Sequence, residues 1–194
     1  MAVGFSQQHG VDYRNTFAPT VTLNVTGVLM AITNDRYLHL HAIDVKTAFL
    51  RAPLEEECYM AIPQGAGPPK GEGVDCVRLK AGYGLKQAPE EWHSTFVMYL
   101  FELGFKRLYT DISVFMHGKE EKTIIISVHV DDTNIMSASL KRVLRLKCHL
   151  QKKFGIVDDG PTSYFLGIQV VRDMEGRVLE LHRQKYIRKI NAHN

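Results

Sequence analysis

The sequence has few cysteines and no long apolar run, and each shortage excludes a class of protein. Its three cysteines, Cys58, Cys76 and Cys148, are widely spaced and form no CxxC pair. Neither a zinc ribbon nor a disulfide framework is therefore indicated, and free thiols fit a reducing compartment. The longest apolar run, residues 123–130, is too short to cross a bilayer.

The first residues also lack the apolar segment of a secretory signal peptide. Together these shortages predict a cytoplasmic or nuclear protein with no membrane partner. The sequence makes no prediction about the oligomeric state.

The formal net charge of the 194 residues is only +3, but the charge is unevenly distributed. Residues 1–140 hold 12 Lys and Arg against 16 Asp and Glu, whereas residues 141–194 hold 12 against 5. A basic C-terminal part suits a polyanion such as nucleic acid. A solvated helix face rich in lysine would give the same composition, so charge alone leaves both interpretations open.

The spacing of apolar residues predicts an α+β fold. Helices are expected at residues 21–33, 90–103 and 139–154, where apolar positions recur at helical spacing. Strands are expected at residues 37–44, 58–62, 76–79, 113–116, 123–130, 134–137, 164–172 and 178–182. This order has no βαβαβ rhythm, which favours an antiparallel sheet with helices on one face. The glycine- and proline-rich residues 63–73 are expected to form a loop.

Two of the predicted strands end in aspartate. Asp44 closes one, and Asp131 and Asp132 follow another that is apolar on both faces for much of its length. Acidic residues at the end of a buried strand are costly unless they are paired or bind a cation. If these strands are neighbours, the three carboxylates converge and repel one another unless a divalent cation such as Mg²⁺ lies between them. A simple turn is the competing interpretation of the Asp131-Asp132 pair.

Six short segments stand in a fixed order around these carboxylates. They are GVDY at 10–13, TFAP at 16–19, DVKTAFL at 44–50, YGLKQAP at 83–89 followed by Trp92, VDD at 130–132 and YFLGI at 164–168. Together they resemble the reverse transcriptase domain of copia-type retrotransposons, from Gly4 to about Ile190.

The resemblance implies one reverse transcriptase domain over residues 1–194, built as a polymerase palm with part of the fingers. Residues 1–36 and about 50–90 would be fingers-like, and residues 37–49 and about 91–160 would form the palm. Residues 161–194 would form the primer-grip hairpin and the start of a thumb or connection. The implied function is RNA-directed DNA polymerisation, with an RNA or DNA template, a primer and deoxynucleoside triphosphates as partners.

The resemblance also implies a role for single residues at the carboxylates. Asp44 and Asp131 would be the main catalytic ligands of two Mg²⁺ ions, for which Mn²⁺ can substitute. Asp132 would support them, and the backbone carbonyl of Val45 would be a further ligand. Phe49 would lie beneath the sugar, where its ring excludes a ribose 2′-hydroxyl. Core packing is an equally good explanation of Phe49.

Further residues are implied to contact nucleotide, template or primer. Tyr83 and Gly84 would line the incoming nucleotide, and Lys86 and Gln87 would contact template phosphates. Leu166 and Gly167 would form the primer grip. An ordinary loop lysine and a glycine at a strand bulge are the competing interpretations of Lys86 and Gly167.

Two departures from the family pattern bear on activity. His129 stands where the family has a tyrosine against the primer terminus, and a histidine beside carboxylates favours positive charge there. Val3 stands at a position that is usually basic, and the basic residues that hold the triphosphate are expected to be missing. Weakened polymerisation is therefore expected. The alternative function is a nucleic-acid-binding remnant with little or no catalysis.

Overall fold

The chain forms two compact units in a computed structural model that describes residues 4–54, 58–61, 76–78, 82–184, 187 and 190. The first unit is formed by residues 1–18 and 47–99, and the second by residues 19–46 and 100–194. Residues 19–36, expected with the fingers-like part, thus belong to the second unit. The names fingers and palm stay predictions for these units.

The three helices lie close to the predicted positions. They are α1 (Leu23–Asp35), α2 (Ala88–Glu102) and α3 (Leu140–Phe154). Thr22 caps α1, since its side chain accepts a hydrogen bond from the Val25 amide at 3.3 Å. Gly155 ends α3 in the left-handed conformation, with a φ of 66° that suits glycine. No helix within the described part of the chain is long and apolar enough to span a membrane.

Eleven strands are found among the described residues, in three antiparallel sheets. In chain order they are β1 (His39–Asp44), β2 (Tyr59–Ala61), β3 (Cys76–Arg78), β4 (Lys106–Arg107), β5 (Val114–His117), β6 (Ile124–His129), β7 (Asp132–Ser137), β8 (Val157–Pro161), β9 (Tyr164–Phe165), β10 (Ile168–Asp173) and β11 (Val178–His182). The largest sheet has the order β4-β5-β6-β7-β1-β8, and smaller sheets pair β9 with β10 and β11, and β2 with β3. The α+β prediction is confirmed.

One predicted strand is divided in the structure, and two observed strands were not predicted. The expected strand over residues 164–172 is divided by a turn at Leu166 and Gly167, whose φ angles of 48° and 78° suit a two-residue hairpin. The strands β4 and β8 were not predicted, because one has two residues and the other contains an Asp-Asp-Gly sequence typical of turns. The predicted loop over residues 63–73 lies outside the described residues.

Different elements cover the two faces of the six-stranded sheet. Leu40 and Met136 are cross-strand partners on one face and share a core with Met30 of α1. Side chains alternate along a strand, so His41 points to the other face, where it contacts Lys147 of α3. α1 and α3 therefore lie on opposite faces of the sheet, and the prediction that the helices lie on one face is wrong for these two. Both faces of this sheet are apolar, and each needs a covering layer.

Candidate active site

The carboxylates at 44, 131 and 132 lie at one end of the six-stranded sheet. β1 pairs with β7, and the register runs to Ile43 opposite Thr133. Asp44 is the next residue of β1 and Asp132 the preceding residue of β7, and the charge of Asp44 contributes to the raised pKa of the Asp132 carboxyl. The predicted meeting of the strand ends is therefore found in the structure, and the catalytic roles of these residues stay predictions.

A strained two-residue turn presents Asp131. β6 and β7 pair up to His129 opposite Asp132, so Val130 and Asp131 alone join them. Val130 has a φ of 59°, and such values are rare for a β-branched residue, costing on the order of 1–3 kcal/mol. Backbone strain of this kind concentrates at functional sites because the surrounding structure must maintain it. Here the paired strands hold the turn.

The three carboxylates interact unfavourably in the metal-free protein. Burial raises the pKa of the Asp44 carboxyl, and the charges of Asp131 and Asp159 raise it further. Burial also raises the pKa of Asp132, with Asp131 and Asp44 adding to the effect and His129 opposing it. A cation at this end of the sheet would relieve that repulsion.

Asp159 is an acidic neighbour that the sequence interpretation missed. β8 pairs with β1, and the register shifts so that Ala42 faces Gly160 while Ile43 faces Asp158. Asp159 is thus the extra residue of a β-bulge, a feature that redirects side chains at sheet edges. A strand with the sequence VDDGP gives no periodic signal from which this position could have been predicted.

The oxygen donors suit Mg²⁺, which prefers a few carboxylates together with phosphate and water oxygens. Within the described ranges, however, no three His, Cys, Asp or Glu side chains are arranged closely enough to hold a metal ion. The backbone therefore places the donors at adjacent positions, while the mutually repelling side chains do not form a closed ligand set. Val45 is 1% exposed, and its carbonyl as a ligand stays a prediction.

A buried lysine of α3 contacts β1, the strand that ends in Asp44. Lys147 of α3 is 3% exposed, and its Nζ lies 3.1 Å from His41 Nδ1 and donates to the Ala42 carbonyl at 3.3 Å. It also forms an ion pair with Asp158 of β8. Burial lowers the pKa of His41, and Lys147 lowers it further, so a neutral ring accepts from the ammonium. This role could have been suspected from the sequence, since Lys147 lies between Val143 and Leu150 on the buried face of α3.

Two predicted nucleotide-binding residues lie together in the first unit. The ring centroids of Phe49 and Tyr83 are 4.7 Å apart. Phe49 is half-buried and Tyr83 is 46% exposed, so Phe49 is not a fully buried core residue. Gly84 is exposed, with a φ of 101° that favours glycine. Contact of these residues with a nucleotide stays a prediction.

Lys86 and Gln87 are engaged within the first unit. Gln87 is 1% exposed, donates to the Asp12 carbonyl at 2.9 Å and accepts from Gln7 at 2.9 Å. The structure gives the Gln87 side chain internal hydrogen bonds, and its contact with a template stays a prediction. Lys86 donates to the Gln7 carbonyl at 3.1 Å and lies over the Tyr13 ring. It is partly exposed, and its contact with a template stays a prediction.

The proposed primer grip is the tight turn between β9 and β10. Leu166 is partly buried against the core of the second unit, and Gly167 is its neighbour in the turn. A Cβ added at Gly167 would meet open space, so backbone conformation and not crowding favours glycine here. The bulge interpretation of this glycine is wrong. Contact of the turn with a primer stays a prediction.

Comparison with known proteins gives a match over nearly the whole chain. Residues 1–193 match the family described as reverse transcriptase (RNA-dependent DNA polymerase). The chain is 34% identical over 188 residues to the Retrovirus-related Pol polyprotein from transposon TNT 1-94 of Nicotiana tabacum, which covers 96% of this chain. It is 31% identical over 187 residues to that from transposon RE1 of Arabidopsis thaliana, again covering 96% of this chain.

A yeast relative is shorter than these polyproteins. The Putative transposon Ty5-1 protein YCL074W of Saccharomyces cerevisiae is 31% identical over 147 residues, which are 76% of this chain and 47% of that protein. The chain spans only 14% and 13% of the tobacco and Arabidopsis polyproteins. What those polyproteins do as a whole does not pass to this chain by similarity alone.

Proposed function

Because the chain belongs to the reverse transcriptase (RNA-dependent DNA polymerase) family, with copia-type Pol polyproteins as its relatives, we propose that it catalyses template-directed nucleotidyl transfer. The observation that supports the proposal is the pairing of β1 with β7, whose register ends next to Asp44, Asp132 and the Val130–Asp131 turn. The resemblance drawn from the six sequence segments is confirmed at the level of the family.

In the proposed reaction, Asp44, Asp131 and Asp132 hold two divalent cations through their carboxylate oxygens. Bound Mg²⁺ would lower the pKa of the primer 3′-hydroxyl and stabilise the leaving pyrophosphate. The paired strands and the strained turn hold the backbone of these residues, which favours a preorganised site once the cations bind. Phe49, Tyr83 and Gly84 are proposed to contact the nucleotide, Lys86 the template, and Leu166 and Gly167 the primer.

Single carboxamide substitutions test this proposal with two readouts. We expect Asp44→Asn and Asp131→Asn to lower Mg²⁺-dependent incorporation of a labelled deoxynucleotide by at least about 100-fold, since loss of one group that stabilises developing charge commonly costs that much. In the metal-free protein, the same substitutions remove a repelling charge. They should raise the unfolding temperature by roughly 2–4 °C for each kcal/mol of repulsion removed.

The matched control is Glu121→Gln, an equal charge change at an exposed residue near the opposite end of β6. We expect it to change neither incorporation nor metal-free stability. If Asp44→Asn and Asp131→Asn retained the parent's incorporation rate, the proposed site would be wrong.

A second candidate, nucleic-acid binding without catalysis, is favoured by one observation. Besides the buried Lys147, α3 carries five basic residues, Lys141, Arg142, Arg145, Lys152 and Lys153, and no Asp or Glu. This charge suits nucleic-acid phosphates irrespective of chemistry. Binding of a primer–template by the parent protein without incorporation in Mg²⁺ or Mn²⁺ would favour this alternative.

A further inference from the structure

A basic cavity lies on the α3 side of the second unit, away from the carboxylates. It has a volume of about 240 Å³, and its basic lining residues are His117, Arg142, Arg145 and His149. His117 ends β5 and is paired with Ile124, which begins β6. β6 then runs six residues to the acidic turn, a distance of roughly 17–20 Å at the rise of a strand. The cavity is therefore separate from the proposed metal site.

The cavity has the charge of an anion site and one buried donor without a partner. No Asp or Glu lines it. The Nε atom of Arg142 is buried and has no hydrogen-bond partner among the residues that the structure describes. A buried donor without a partner costs free energy and calls for an explanation, such as an ion that binds there. Arginine is also the side chain whose planar donors best match phosphate oxygens.

The rest of the lining limits the size and kind of the ligand. Phe105 and Leu146 form an apolar part beside the basic residues. The volume is below the roughly 300–1,000 Å³ of typical small-molecule pockets. A phosphate with part of its attached sugar suits this combination better than a larger, fully enclosed ligand does.

The surroundings favour a linear polyanion over a single phosphate. Along α3, exposed Lys141, Lys152 and Lys153 extend the basic surface beyond the cavity. A neighbouring cavity shares His117 and Arg142 but is also lined by Glu120 and Glu121. Lys119 and Lys122 of the same lining balance those two carboxylates, so the 118–122 turn adds no net positive charge, and a strand would follow the more basic α3.

We propose that the Arg142–Arg145 cavity binds a backbone phosphate of a nucleic-acid strand that runs along α3, as a second contact site remote from the carboxylates. The two guanidinium groups donate to phosphate oxygens, and the apolar part contacts the sugar. This binding needs no metal and no catalysis. The proposed binding depends only on the charge and shape of the cavity, so it would still occur in a protein that does not catalyse nucleotidyl transfer.

The test is fluorescence anisotropy of a labelled single-stranded oligodeoxynucleotide of about 16 nucleotides with the whole chain, in EDTA and over a series of salt concentrations. We expect the double variant Arg142→Gln/Arg145→Gln to bind at least tenfold more weakly. The magnitude of the slope of log K against log salt should fall by about 0.7, since one phosphate contact on a single strand contributes about that much. The variant Arg142→Lys/Arg145→Lys keeps the charge but loses the planar guanidinium donors. Its affinity should lie between those of the parent and of the glutamine variant.

The control is Lys119→Gln/Lys122→Gln, an equal loss of charge on the neighbouring 118–122 turn. It should weaken binding by less than threefold. Equal weakening by both double variants, with unfolding temperatures unchanged, would mean diffuse electrostatics and would overturn the proposal.

Inorganic phosphate and tripolyphosphate serve as competitors to separate the sources of phosphate. If the arginine variant lost binding of free phosphate yet kept the parent's affinity for the oligonucleotide, the nucleic-acid assignment would be overturned. The binding assay contains EDTA, so it reports binding in the absence of metal-dependent nucleotidyl transfer. A failure of catalysis is thereby distinguished from a failure of this site.

Discussion

His129 is the side chain at which this chain departs from the copia-type pattern beside the carboxylates. It is paired with Asp132 across the turn and opposes the rise in the pKa of that carboxyl. Any positive charge at this side chain would oppose the binding of a metal ion to the same carboxylates. We expect His129→Tyr to bind Mg²⁺ more tightly and to extend a primer about threefold to tenfold faster, a change of up to about 1.4 kcal/mol in the barrier.

The measurement is the steady-state rate of primer extension over a titration of Mg²⁺. His182→Tyr is the control, because His182 is a partly exposed histidine on β11 whose partner is Glu180. We expect it to leave the rate unchanged. No gain in His129→Tyr at any Mg²⁺ concentration would show that His129 does not weaken the site.

Some site residues could be proposed from local chemistry alone, and their roles stay predictions. Asp44 and Asp131 end or follow strongly apolar strands, and an acidic residue there indicates a site whatever the details of the fold. The internal hydrogen bonds of Gln87 were not predicted because its partners Gln7 and Asp12 lie 80 and 75 residues away in sequence. Nothing in the segment YGLKQAP shows that its amide is used internally.

At the scale of elements, the Lys147–Asp158 pair joins α3 to β8 beneath β1. Removing one partner of a buried pair leaves the other charge uncompensated, whereas an apolar residue in place of a buried lysine can be neutral or stabilising. The Lys147 side chain is 4% exposed and that of Asp158 is 48% exposed. We therefore expect Asp158→Ala to destabilise by on the order of 2–3 kcal/mol, below the 3–5 of a fully buried pair.

Lys147→Met should cost less than Asp158→Ala, because the released carboxylate is half-exposed and can be solvated. Urea denaturation of both variants at neutral pH measures the difference. The opposite order of stability would mean that Lys147 stabilises chiefly through His41 and the Ala42 carbonyl.

The same pair makes a pH-dependent contribution with a defined sign. Burial alone would raise the pKa of Asp158, but hydrogen bonds from Lys147 and the Gly160 amide lower it overall. A lowered folded-state pKa stabilises the fold above the unfolded value near 3.9, and this stability is lost as pH falls through the folded value. We expect Asp158→Asn to reduce the loss of stability between about pH 5 and pH 2.

Urea midpoints measured across that pH range test the expectation. Asp35→Asn, at the exposed end of α1, is the control and should keep the acid dependence of the parent. An unchanged acid dependence in Asp158→Asn would place the relevant titration elsewhere.

The elements themselves were predictable wherever periodicity is strong. α3 and β6 lie within one or two residues of their expected bounds, because their apolar spacing is clear. β8 was missed because its pairing with β1 contains a bulge and its sequence is that of a turn. Its position is decided by the Lys147 contact and by the open edge of β1, which are tertiary effects.

At the scale of the whole molecule, the chain enters each unit twice. β1 pairs with β7, whose residues follow some 90 positions later, and this pairing brings the acidic strand ends together. Local patterns predict each strand but not its neighbours, since pairing depends on the burial of both faces. The neighbourhood of Asp44 and Asp131 was thus a hypothesis until the sheet order was known, and the placing of α1 and α3 on opposite faces was missed for the same reason.

The proposed metal site also predicts how the whole molecule responds to divalent cations. A ligand that binds only the folded state stabilises it by about 2.7 kcal/mol at 100 times its dissociation constant. For a chain of 194 residues this corresponds to a rise of roughly 5–10 °C in the unfolding temperature. Mg²⁺ and Mn²⁺ should produce this rise in differential scanning calorimetry, and EDTA should reverse it.

Asp131→Asn separates this effect from general screening of charge. Without metal, the variant should have a higher unfolding temperature than the parent. Mg²⁺ should raise that temperature little, because the repulsion that a cation relieves has already been reduced at Asp44 and Asp132. NaCl at matched ionic strength should not reproduce the rise in the parent. An equal Mg²⁺ response in the parent and in Asp131→Asn would mean that the cations act elsewhere on the molecule, and the carboxylates at the end of the sheet would then need another explanation.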